Sequence, residues 1–106
     1  MRTREKGYSD YGFVDGESKL LKKWCRSTDF KYAKLLKECA EKANEAISSN
    51  IYNSILKGVS YDKLDQMEYQ LYGKNDFYAY RRKTLALFRT KMIESGLYPF
   101  LSRNGK

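Results

Sequence analysis

Asn75-Asp76-Phe77-Tyr78-Ala79-Tyr80-Arg81-Arg82-Lys83-Thr84-Leu85-Ala86-Leu87-Phe88-Arg89 joins a helix-start signal, an apolar stripe and a dense cluster of positive charge. Asn75 or Asp76 is a suitable N-cap, because a short polar side chain can accept from the backbone N–H groups of the first turn. At about 100° per residue, a helix from Phe77 puts Phe77, Tyr80, Thr84 and Phe88 on one side, with Leu85 and Met92 flanking. That side is expected to meet a core. Tyr78, Ala79, Arg82, Lys83, Ala86 and Arg89 then point away, giving an outer face of small residues, cations and one aromatic that suits a nucleic-acid groove. Gly96 is the expected stop, after a last turn near Ser95.

Working back from this helix, the preceding stretch 69–74 reads as a turn in which Gly73 can take a positive φ and Leu71 plugs the core. Before it, Ser60 offers an N-cap, Asp62 sits in a first turn, and Tyr61, Leu64 and Met67 supply an apolar edge, so a short helix is expected from about Tyr61 to Glu68. Asn50 to Lys57 carries Ile51, Tyr52, Ile55 and Leu56 and stops at Gly58. Ser27, Thr28 and Asp29 are candidate N-caps for a helix running through Phe30, Ala33, Leu36, Cys39, Ala40 and Ala43, with a boundary between Asn44 and Ser49. Glu17 to Arg26 repeats Leu20, Leu21, Trp24 and Cys25 at helical spacing among Lys19, Lys22, Lys23 and Arg26. Trp24 is the expected core anchor, since an indole carries a large apolar area.

The ends look different. Residues 1–16 mix Gly7, Gly12 and Gly16 with Tyr8, Tyr11 and Phe13, a composition for a partly ordered arm that is expected first of all to fray; otherwise its aromatics fold back and its Arg2, Arg4 and Lys6 trail along a nucleic-acid backbone. Leu97, Tyr98, Pro99, Phe100 and Leu101 form an apolar coda that is expected to pack on the bundle or to serve as a homodimer contact, and 102–106 reads as a loose tail. The fold class is therefore all-α, a small bundle of four or five helices over 17–101 with a C-terminal helix-turn-helix at about 50–95. The 106 residues suffice for one modest core and no second one.

Composition narrows the function. A net charge of +8, from 21 basic and 13 acidic residues, favours DNA, RNA or an acidic protein as partner. With no His and only Cys25 and Cys39, a structural zinc site lacks its ligands, and both cysteines read as small buried hydrophobes. There is no glycine-rich phosphate loop, no HExxH-type pattern and no partnered carboxylate cluster; Asp62 and Asp65 share a helix face but read as solvated, so no enzyme and no cofactor are expected. No run is long enough to cross a bilayer and no signal-peptide pattern opens the chain, which makes cytoplasmic the expected location.

The order helix, Gly58, short helix, turn with Gly73, basic capped helix is that of a helix-turn-helix. In that geometry the helix from Tyr61 braces across the phosphate backbone and the helix from Phe77 lies in the major groove of double-stranded DNA. Arg82 and Lys83 then reach bases or phosphates, Tyr78 touches a thymine methyl or a phosphate, and Asn75 reads adenine. Arg81, Arg89, Lys74 and Lys91 fall to phosphate contacts.

The run Gly58-Val59-Ser60-Tyr61-Asp62-Lys63-Leu64 followed by Asp76-Phe77-Tyr78-Ala79-Tyr80-Arg81-Arg82-Lys83-Thr84-Leu85 resembles the C-terminal helix-turn-helix of ArpU-type phage regulators, and the wider group of phage proteins similar to sigma-factor region four. The resemblance covers the last half of the chain. It implies a prophage or mobile-element origin and control of transcription. The path from Leu64 to Phe77 is longer here than in that group, which changes the angle between the two helices. The other expectation is a small phage-encoded protein that binds and modulates or inhibits an acidic host protein or a nucleoprotein complex.

Overall fold

The computed structural model describes residues 6–59 and 73–100. Among the described residues there are four α-helices: α1 (Glu17–Cys25), α2 (Ala33–Ala43), α3 (Ser48–Lys57) and α4 (Lys74–Glu94). Two short 3-10 turns, Tyr8–Tyr11 and Glu45–Ile47, complete the described elements, and none of these residues is in a strand. The all-α class is as read from the sequence. The bracing helix expected at Tyr61 to Glu68 lies outside the described residues, as do most of the turn 69–74 and the tail 102–106, so a helix-turn-helix is not among the described elements.

The long helix α4 is the centre of the molecule. Its tightest partner is α2, and α3 and the Tyr8–Tyr11 turn also pack on it. Phe77, Thr84, Leu85, Phe88 and Met92 are buried, as the stripe requires, but Ala79 and Ala86 on the supposed outer face are buried too. A helix that is covered on several sides carries apolar or small residues all round rather than on one stripe. The two-faced reading of this helix is therefore corrected: Ala79 and Ala86 are buried and do not belong to a groove-facing surface.

Leu21 and Cys25 of α1, Leu36, Cys39 and Ala40 of α2, and Ile51 and Ile55 of α3 supply the rest of the core. They recur at three- or four-residue spacing, and each leucine or isoleucine so buried contributes about 1.5–3 kcal/mol. Trp24 is half-buried at the rim of that core. Its ring lies 5.1 Å from Phe30, 5.7 Å from Tyr32, 6.3 Å from Phe88 and 5.8 Å from Phe100. This cluster ties the coda to α1, α4 and the loop before α2, while Leu97 stays exposed.

Two boundaries differ from the sequence reading, each for a local reason, and the one between α2 and α3 falls where it was expected. The α2 helix starts at Ala33, not at Ser27–Asp29. Ser27 instead turns its hydroxyl back to the carbonyl of Trp24 at 2.7 Å, closing the end of α1, and Phe30 and Tyr32 are drawn into the Trp24 cluster in a non-helical conformation. Gly73 has φ −71° and ψ 168°, extended backbone rather than the positive φ expected, and it is the N-cap itself, so α4 starts at Lys74. Between α2 and α3, Asn44 accepts from the N–H of Ala46 at 3.1 Å and opens the 3-10 turn that leads into α3. Gly58 does end α3 in the left-handed region, at φ 69°.

Candidate nucleic-acid interface

The seven residues singled out on α4 have different fates. Lys74 and Asn75 are exposed in the first turn. Tyr78 is half-buried, with its ring edge-on to Phe77 at 5.4 Å and the Arg81 guanidinium 4.6 Å above it. Arg81 donates Nη1 to the Ser54 hydroxyl at 3.1 Å. Arg82 donates Nε to the main-chain oxygen of Lys6 at 2.9 Å. Lys83 is half-buried. Arg89 is ion-paired: its Nε is 2.5 Å from Oε2 of Glu17, itself only 3% exposed.

Three of the four arginines and lysines in the middle of α4 are thus held by other parts of the chain. The covering segment is the N-terminal arm. Tyr8 and Phe13 stack edge-on at 5.1 Å, Phe13 is buried, and the Arg89 guanidinium sits 5.1 Å from its ring. These aromatics pack against the helices, where the sequence favoured a frayed terminus over a folded-back arm. The consequence was not foreseen: the arm lies along the face of α4 that carries Arg82 and Arg89.

Glu17 is the hub of this side. Besides Arg89 it accepts from the Tyr98 hydroxyl and, through Oε1, from the N–H of Val14 at 3.0 Å. Burial by itself pushes its pKa up. The hydrogen bonds from Arg89, Tyr98 and Val14, with the Arg89 charge, outweigh burial and hold the carboxyl below its ordinary value. The carboxylate thereby joins α1, α4 and the coda at one point.

With Glu17 turned inward, α1 presents an outer face without an acid. Lys19, Lys23 and Arg26 are exposed and Lys22 is half-buried, opposite the buried Glu17, Leu21 and Cys25. Lys19–Lys23 and Lys22–Arg26 are like-charge pairs at i,i+4, each locally destabilising by about 0.2–0.5 kcal/mol. Arg26 also wraps the end of α3, donating Nε to the Ile55 oxygen at 2.8 Å. This basic face was visible in Lys19, Lys22, Lys23 and Arg26 but was read only as the flank of an amphipathic helix.

Elsewhere the chemistry is quieter. Cys25 and Cys39 are free and buried, and burial pushes their thiols up to about 12 and about 11, which leaves little thiolate for nucleophilic work. A shallow groove between α2 and α4 is lined by Leu35, Glu38, Cys39, Lys42 and Lys91, a mixture of signs with no convergent polar groups. No helix among the described residues is long and apolar enough to cross a membrane. Comparison with protein-family models, curated proteins and solved structures finds no match to this chain.

Proposed function

We propose that the protein is a small DNA-binding regulator of the phage or mobile-element kind that holds the phosphate backbone with the outer face of α1. The observation that carries this reading is the acid-free row of Lys19, Lys22, Lys23 and Arg26, kept on one face at the expense of two like-charge pairs. A polyanion relieves that repulsion and releases its own counterions. Lys74 and Asn75, at the exposed first turn of α4, are the remaining positions from which the helix-turn-helix reading can reach a base edge. Arg81, Arg82 and Arg89 serve first as intramolecular ties, and Lys83 as an accessory cation.

Duplex binding followed by fluorescence anisotropy in low salt tests the reading. The Lys19→Gln/Lys23→Gln double variant is expected to bind at least tenfold more weakly, whereas Lys83→Ala changes affinity by less than threefold. Absence of duplex binding by the unaltered protein at low salt ends the DNA reading.

A second reading, a protein that modulates an acidic host protein, is favoured by Leu20. This side chain is 51% exposed beside Lys19 and Lys23. An apolar residue among lysines suits an acidic protein surface better than a phosphate backbone. Leu20→Ala separates the two, since it leaves duplex affinity unchanged under the first reading.

A further inference from the structure

Lys22, Arg26 and Arg81 meet where α1, the last turn of α3 and α4 come together. Arg26 gives Nε to the Ile55 oxygen at 2.8 Å and Nη2 to the Ser54 oxygen at 3.5 Å, and Arg81 gives Nη1 to the Ser54 hydroxyl at 3.1 Å. Both guanidinium groups are therefore anchored on one fully buried residue. Lys22 stands one turn before Arg26, with Nζ 5.9 Å from the ring centre of Tyr8.

The partners of these three cations are carbonyl oxygens, a hydroxyl and aromatic rings. Among the described residues no carboxylate is paired with any of them. Arg81 Nε and the Tyr8 hydroxyl are also buried without a well-formed hydrogen bond, although the two side chains face each other. The crowding is felt at Lys22, whose pKa is pushed down by burial and then by Arg81, Arg26 and Lys19. Closing the carbonyls at the end of α3 accounts for Arg26. It does not account for Lys22 and Arg81 being gathered beside it.

We propose that Lys22, Arg26 and Arg81 form an oxyanion site that takes a single phosphate group. Two planar forks, Arg26 held by the Ile55 carbonyl and Arg81 by the Ser54 hydroxyl, and one adjustable ammonium make a donor set matched to a tetrahedral anion. Exposed Arg26 and half-buried Lys22 mark the open side of the site. Identifying the phosphate as one of a nucleic-acid backbone rests on the function proposed above; free inorganic phosphate presents the same chemistry.

Inorganic phosphate titrated into the full chain, with chloride holding ionic strength constant, gives a direct test by amide NMR shifts. A saturable shift is expected around residues 22, 26, 54 and 81. Its midpoint should weaken at least tenfold in Lys22→Gln, recover in Lys22→Arg and stay unchanged in Lys42→Gln, a matched charge loss on α2. Lys22 is half-buried and its ammonium hydrogen-bonds no described residue, and circular dichroism checks that Lys22→Gln is folded. No saturable response, or an equal response in Lys22→Gln, overturns the site.

A parallel duplex titration identifies the source. Loss of both affinities in Lys22→Gln assigns the site to backbone phosphate, and loss of phosphate binding alone assigns it to the free anion. Phosphate binding without any duplex binding supports the site while removing the nucleic-acid reading.

Discussion

Glu17 decides more than any other single residue. Its carboxylate collects Arg89, the Tyr98 hydroxyl and the Val14 N–H in a place with almost no solvent. Removing one member of such a buried set leaves the others unpaired, so Glu17→Ala is expected to lower unfolding free energy by about 3–5 kcal/mol in urea denaturation. The pH dependence has a definite sign. Because the folded carboxyl lies below its ordinary value of 4.5, its contribution is present above that pH and is lost as pH falls through the folded pKa. The unaltered protein should therefore lose stability in acid more steeply than Glu17→Gln. An acid limb of equal slope in the two proteins would contradict the ion-pair account. None of this was legible in the sequence, for Glu17 and Arg89 are 72 positions apart and a lone Glu at a helix start has a simpler local explanation.

At the scale of elements, caps explain both what the sequence disclosed and what it concealed. Gly58 and Gly96 were readable as stops because both take the left-handed conformation that an L side chain resists. Gly58→Ala is expected to cost about 1–2 kcal/mol. The added Cβ would also come 3.4 Å from Cζ of Arg26, the group that closes the α3 carbonyls. Ser27 and Asp29 misled, since a capping residue serves the end of one helix as readily as the start of the next. Thermal or urea denaturation distinguishes the roles: Asn44→Ala, which loses the bond to Ala46, should cost about 1 kcal/mol, and Asp29→Ala should stay within about 0.5 kcal/mol. The stripe on α4 was sound as far as Phe77, Thr84, Phe88 and Met92 go. Its outer face was misjudged because periodicity records which residues avoid water locally, and alanine is silent about whether another segment covers it. Here the arm meets that side of α4, with Lys6 against Arg82 and Phe13 against Arg89.

At the scale of the molecule, the described residues carry a basic face on α1 besides the cations of α4 that the sequence emphasised. The cations of α4 largely bind the protein to itself, through Ser54, Lys6 and Glu17. Those of α1 face outward without an acid among them, which is the arrangement a phosphate backbone requires. The phosphate site at Lys22, Arg26 and Arg81 sits at the edge of the same face and extends it toward α4. The central claim, that α1 is the phosphate-binding surface, is tested most directly by the salt dependence of duplex affinity. Each phosphate contact contributes about 0.9 to the slope of log affinity against log salt. The Lys19→Gln/Lys23→Gln variant should therefore show a slope shallower by about 1.8 than the unaltered protein. A slope unchanged in that variant, but reduced in Lys74→Gln or Lys83→Ala, would contradict the account and return the interface to α4.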